Sequence, residues 1–313
     1  MKIERAIAEF IDYKRSLGRR YTSRSMILRA FARAAEGADI RKITPDIVQK
    51  FIDGRGAVTN AWFARFSTLN CLFRYALSRN YIVASPLPKS KPPRPIEFRP
   101  YIYSAADVAK LLDAAESRHR STWRLAPRTI RVLLLLLYGA GLRISEAVGL
   151  KVSDVDLKEL ILTIRETKFF KTRLVPIGPD LGRVLRLYFH QQWSASPHTP
   201  DSPFLATIDG TPVIRRTAEG MFMRLRKEAG IKGHDGSRYQ PRLHDFRHAF
   251  AIMRLVTWYR EGKNVQRLLP HLSTYLGHAR MSDTTRYLSM TRELLQHASR
   301  CFELYARPEV QRG

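Results

Sequence analysis

Cysteine is nearly absent. Cys71 and Cys301 are the only two in 313 residues, too few for a disulfide framework or a four-ligand zinc site. Long hydrophobic runs are missing as well. The longest apolar stretch, Val132 to Leu137 extended to Ala140, falls far short of the ~20 residues a bilayer span needs. The start, Met1-Lys2-Ile3-Glu4-Arg5, leads into polar–apolar alternation and not into a signal-peptide core. The chain therefore reads as soluble and cytoplasmic, with no membrane partner. Acidic residues are scarce, 28 against 54 Lys and Arg, and they form no clustered set of the kind two-metal nucleases use. Internal repeats and low-complexity tracts are also lacking. Hydrophobic content of 44% excludes a disordered basic tail.

What is abundant is positive charge. The formal net charge is +26, and 40 of the 54 basic residues are Arg. Arginine presents a planar fork that grips phosphate oxygens bidentately, so the bias points to nucleic acid. Residues 1–89 carry 17 basic and 7 acidic side chains; residues 90–313 carry 37 and 21. A polyanion-tracking surface is expected on both parts.

The first ninety residues read as short helices. Ile3, Ala6, Ile7, Phe10 and Ile11 recur at helical spacing, as do Met26, Ile27, Ala30, Phe31 and Ala34. Thr44-Pro45-Asp46 marks a helix start, and a longer helix is expected from about Thr59 to Asn80. Five prolines between Pro86 and Pro95, with Pro100 beyond, predict an extended linker. The expected organisation is a helical domain over 1–85, a Pro-rich linker over 86–100 and a second domain over 101–313. In the second domain Ser104 to Asp107 caps a helix to about Ala115. Residues 127–138 form a buried helix that stops at Gly139-Ala140-Gly141, and Ser145-Glu146 opens a short helix. Leu160 to Arg165 and Arg173 to Ile177 predict a β-hairpin. Its basic, aromatic loop runs from Glu166 to Thr172. The rest reads as helical, giving a mainly α chain with a small antiparallel β-sheet.

Four clusters carry possible chemistry. Gly139 to Glu146 lacks both the dinucleotide fingerprint and a Gly-Lys-Ser/Thr loop, yet it sets Arg143 beside a helix N-terminus, a phosphate grip. The hairpin loop holds Lys168 and Lys171. In Leu243-His244-Asp245-Phe246-Arg247-His248 the i, i+3 spacing puts His244 and Arg247 on one helix face. His244 and His248 mimic a metal pair, but the zincin Glu is replaced by Asp245 and no third ligand is near; no metal is expected. The last cluster runs from Tyr275 to Tyr287 and contains His278.

Taken in order, these strings resemble the catalytic domain of the tyrosine recombinase (phage integrase) family, Xer-like in layout, over roughly residues 100–305. The resemblance rests on Gly141-Leu142-Arg143-Ile144-Ser145-Glu146 and on Thr167-Lys168 with Arg173-Leu174-Val175-Pro176. It continues through His244-Asp245-Phe246-Arg247-His248 and Leu276-Gly277-His278, and ends at Tyr287, nine residues after His278. It implies a two-domain, C-shaped clamp on double-stranded DNA, whose amino-terminal helices are the core-binding domain.

The same resemblance implies the roles. Arg143 and Arg247 hold the non-bridging oxygens of the scissile phosphate. Tyr287 is the nucleophile, forming a 3′-phosphotyrosyl link. Lys168 protonates the leaving 5′ oxygen, with Lys171 as the competing candidate. His244 assists deprotonation of Tyr287, His278 donates to the phosphate, and Glu146 orients the site. No cofactor is implied, because the phosphotyrosine conserves the bond energy. A homo- or hetero-tetramer on DNA is expected, the amphipathic stretch Glu293 to Tyr305 packing into a neighbouring protomer. Two readings stand beside strand exchange: type IB topoisomerase-like relaxation, and a catalytically silent DNA-binding accessory protein.

Overall fold

Apolar residues spaced three and four apart make Ile3–Ser16 into α1, with Ile3, Ala6, Ile7, Phe10 and Ile11 all turned inward. The same logic forms α2 (Thr22–Ala34), α3 (Pro45–Asp53) and α4 (Asn60–Ser78). Thr44 caps α3 as its spacing predicts: Oγ1 accepts from the Ile47 N–H at 3.4 Å, with Pro45 in the first turn. These helices share one core around Phe10, Leu28, Phe31, Ile52, Leu69 and Phe73. Trp62 Nε1 donates to Asp53 Oδ1 at 2.8 Å and ties the end of α3 to α4. The expected helix over 59–80 is two residues shorter at its end, because Asn80 leaves it with a φ of 56°.

This computed structural model describes residues 1–19, 21–54, 56, 58–94, 100–117, 124–165, 172–193, 198–233, 240–290 and 296. The chain divides into two compact units, Met1–Phe98 and Arg99–Gly313.

In the second unit Ser104 and Asp107 cap α5 (Ala105–Ser117) reciprocally: Asp107 Oδ2 accepts the Ser104 N–H at 3.0 Å, and Ser104 Oγ accepts the Asp107 N–H at 3.1 Å. Next comes α6 (Pro127–Gly139), buried at Thr129, Ile130, Val132, Leu133, Leu134, Leu136 and Leu137. A helix apolar on this many faces must be wrapped. It packs against α5, α8 (Pro179–Trp193) and α10 (Leu243–Arg260). Between them run α7 (Ile144–Val148) and a three-stranded antiparallel sheet of β1 (Val155–Asp156), β2 (Ile161–Ile164) and β3 (Arg173–Pro176). In the hairpin Leu162 faces Val175 and Ile164 faces Arg173. The short edge strand β1 has no sequence signal, since two residues carry no periodicity.

α9 (Arg215–Glu228) packs on α5 and α7. α11 (Val265–Leu276) lies against α10 and β3 and leads to α12 (Ser282–Thr285), followed by a 3₁₀ turn over Arg286–Ser289. Ser282 opens α12 as its first helical residue, with Met281 before it. Among the described residues no helix is long and apolar enough to cross a membrane.

Candidate active site

The site is assembled where two glycine turns meet the start of α10. Gly141 and Gly277 both have left-handed backbones, with φ of 61° and 64°, where a Cβ is penalised. Space forbids a side chain as well. A Cβ on Gly141 would stand 2.5 Å from Phe250 Cδ1, and one on Gly277 would stand 2.9 Å from Arg173 Nη1. Each glycine turns its carbonyl toward an arginine. Gly141 accepts from Arg247 Nη1 at 2.7 Å and Gly277 from Arg143 Nη2 at 3.0 Å.

Arg143 is the residue before α7. Three positions on, Glu146 accepts both the Arg143 backbone N–H at 2.9 Å and its Nη1 at 2.7 Å. The Arg143 side chain keeps about a third of its surface open (31%), so it is the more accessible of the two arginines. Arg247 is different. On the inner face of α10 it is 1% exposed, and its Nη2 donates to the Leu276 carbonyl. Burial, then repulsion from Arg143, pushes its pKa down to about 9, so it stays cationic at neutral pH. A buried cation persists only when paired. Its nearest carboxylate is Glu146, 3.8 Å away.

Arg173 closes this group. Its Nη1 and Nη2 fork onto Glu146 Oε1 and Oε2 at 3.0 and 2.8 Å, and its Nε donates to the Tyr275 carbonyl at 2.9 Å. Burial acts to raise the Glu146 pKa, but the Arg173 bonds and charge and then Arg143 outweigh it and hold the group at about 2. Glu146 is therefore a permanent anion among three guanidinium groups.

The opposite wall is aromatic. Tyr287 lies in the 3₁₀ turn and is 2% exposed, packed with Phe250, Leu255, Leu272 and Leu276. Its ring is 5.5 Å from that of His248 and 6.1 Å from that of His278. Burial raises the Tyr287 pKa, while Arg247, Arg286 and Arg143 pull it back. Three residues per turn put Thr284 and Tyr287 on one side. Both are buried, and the Thr284 hydroxyl is hydrogen-bonded to His278 Nδ1 at 2.7 Å. Nε2 of His278 is thereby aimed away from Thr284. His244 sits one helical turn before His248, rings 4.9 Å apart, and is exposed. Burial, then the Arg247 charge, lowers His244 and His278 to about 4, while burial and His244 lower His248 to about 3. All three imidazoles are neutral at pH 7.

The structure thus gathers Arg143, Arg247, His278 and Tyr287, with His244 joined through His248. Lys168, Lys171 and the stretch from Glu293 to Tyr305, apart from residue 296, lie outside the described residues. Sequence reasoning assigned no role to Arg173, Thr284 or His248. Thr284 was within reach, three residues before Tyr287. Arg173 stood in one of the strings that carry the resemblance, Arg173 to Pro176, but nothing local told its role. Tyr275, the other tyrosine of that last cluster, donates its hydroxyl to the Pro176 carbonyl at 3.2 Å, stacks on Phe250, and burial pushes it up to about 12. Among the described residues no three His, Cys, Asp or Glu side chains come together as a metal site.

Residues 103–293 match the phage integrase family. Over 304 residues the chain is 37% identical to y4rB of Sinorhizobium fredii, named as an integrase/recombinase, covering 95% of this chain and 96% of that one. It is 29% identical over 270 residues to the tyrosine recombinase XerD of Corynebacterium glutamicum, covering 84% and 83%. Among solved structures, the Tn1549 transposon integrase in complex with a circular intermediate DNA shares the fold, with a TM-score of 0.72, 17% identity and coverage of 97% and 99%. A lambda integrase tetramer bound to a Holliday junction does so with a TM-score of 0.66, 18% identity and coverage of 92% and 77%. The chain belongs to the phage integrase family and is a Xer-like tyrosine recombinase.

Proposed function

We propose that this recombinase cuts and rejoins double-stranded DNA at a specific site through Tyr287, in the setting of integration, excision or transposition. The Tyr287 oxygen attacks the scissile phosphorus, the P–O5′ bond breaks, and a 3′-phosphotyrosyl link forms with release of a 5′-hydroxyl. His244 takes the phenolic proton, and Lys168 gives one to the departing oxygen. Arg143 and Arg247 hold the non-bridging oxygens, where charge accumulates in the transition state, and His278 adds a donor. Reversal by another 5′-hydroxyl rejoins the strands, so no cofactor is consumed.

One observation carries this reading: two arginines far apart in sequence converge on Glu146 and on the Leu276–Gly277 carbonyls, beside the His278–Tyr287 ring pair. Both are cations, and the imidazoles near them are neutral. Such a site suits a substrate that already bears negative charge. A phosphodiester fits it.

In this reading the helical unit of residues 1–85 is a core-binding domain, joined by the 86–100 linker to a catalytic domain over 101–313. Solved relatives on DNA include dimers and a tetramer, which supports assembly as a tetramer, from one or two recombinases.

The test is Tyr287→Phe. Losing a hydroxyl from a packed ring leaves the fold and DNA binding intact, and the covalent protein–DNA adduct is expected to vanish from denaturing gels. An adduct that persists would transfer the nucleophile to another tyrosine and overturn the assignment.

A further inference from the structure

Arg173 takes no part in the chemistry described above, yet it is the most heavily committed side chain at the site. It stands at the first position of β3, 10% exposed. Nε, Nη1 and Nη2 all donate inside the protein, to the Tyr275 carbonyl and to both oxygens of Glu146. It has little left to offer a phosphate. What it does instead follows from Glu146. That carboxylate accepts four hydrogen bonds from Arg143 and Arg173, and Arg247 lies 3.8 Å away. A bidentate fork fixes the plane of a carboxylate as well as its position. With its plane fixed by Arg173, Glu146 accepts the Arg143 guanidinium on Oε1 and the Arg143 backbone N–H on Oε2. Gly277 repeats the coupling from the other side. Its missing Cβ makes room for the Arg173 guanidinium, and its carbonyl holds Arg143.

We propose that Arg173 is a positioning residue: through Glu146 it sets the pose in which Arg143 meets the scissile phosphate. The inference rests on the strand-cleavage reading above. Without the fork, Glu146 is free to rotate toward the remaining guanidinium groups and draws Arg143 inward, away from the phosphate. Lysine cannot replace arginine here, because an ammonium is a point charge that constrains no plane.

The test uses the full chain and a nicked suicide DNA duplex, comparing the parent with Arg173→Lys, Glu146→Gln and the double variant. Adduct formation is measured in single turnover and DNA affinity by anisotropy. Arg173→Lys is expected to slow cleavage at least tenfold while affinity stays within about threefold. Glu146→Gln is expected to slow it similarly, and the double variant to be no slower than the worse single one, because both act through one contact. A sulfur in place of the 5′ bridging oxygen is expected to rescue neither. Thermal unfolding run in parallel reports whether each variant folds, and Glu146→Gln tests the same contact if Arg173→Lys does not. Parental rates in both single variants would overturn the proposal. So would multiplicative losses in the double variant, or rescue by sulfur, which would place the effect on the leaving group. If the parent itself forms no adduct, the cleavage reading has failed instead, and that result is distinguishable from all of these.

Discussion

Two neutral imidazoles, His248 and His278, packed against Tyr287 make the site sensitive to acid. A histidine free in an unfolded chain takes up a proton near pH 6.5, whereas folded His248 resists protonation to about 3 and His278 to about 4, burial being the largest cause in each. Between those values the unfolded state binds more protons than the folded one, so stability rises with pH in that window and is lost as pH falls through it. Each such group contributes at most about 1.4 kcal/mol per pH unit, and less here because both rings are only partly buried. Glu146, held at about 2, leaves this window untouched and adds its own loss only under stronger acid. The expected outcome is a urea midpoint that drops from pH 7 to pH 5, with a shallower drop in His248→Asn. Identical midpoints at the two pH values would show that the imidazoles are not held neutral. His248 has a further claim on this test: its buried Nδ1 has no hydrogen-bond partner among the described residues, so protonating it there gains nothing.

At the scale of elements, the hairpin of β2 and β3 shows what sequence can and cannot say. Its two runs were legible because they are rich in β-branched residues, and the pairing of Leu162 with Val175 follows from burying one face. The caps at Thr44 and Ser104 were legible for a similar reason, their chemistry lying within four residues. Arg143 and Arg247 could be named from local strings. Their convergence on carbonyls at the end of α11 could not, because nothing local encodes contacts between residues 134 and 29 positions apart. The 3₁₀ turn under Tyr287 escaped in the same way: its tight winding answers to the burial of Thr284 and Tyr287 together.

The hairpin also carries a prediction about the leaving group. If Lys168 supplies the proton, it matters only because an alkoxide has a high pKa. A thiolate leaves without that help. Lys168→Ala is therefore expected to cleave ordinary DNA slowly, by about 10²–10⁴-fold, and to recover on a substrate with sulfur at the 5′ bridging position. Arg143→Ala is expected to stay slow on both, since its work on non-bridging oxygens is unaffected by the exchange. Rescue of Lys171→Ala in place of Lys168→Ala would move the acid three residues along the loop.

Over the whole molecule, charge decides more than any single contact. A net +26 spread over residues 1–89 and 90–313 alike exceeds what solubility requires of a chain this size. Most of it is arginine, the side chain suited to phosphate. If both units lie along a duplex, each phosphate neutralised releases condensed counterions, and log K falls against log salt with a slope near −0.9 per phosphate. The Tyr287→Phe variant makes this measurable, because binding then proceeds without covalent capture. With six or more phosphates engaged, affinity is expected to fall by about 10³-fold or more between 50 and 200 mM salt. The steepness is expected on unrelated duplexes as well as on the recombination site, since phosphate contacts carry no sequence information. A site-specific duplex differs in its intercept instead. A slope near zero on both would mean that the basic surface faces something other than DNA, and the clamp would have to be abandoned. A steep slope with no difference in intercept would keep the clamp but remove the site specificity.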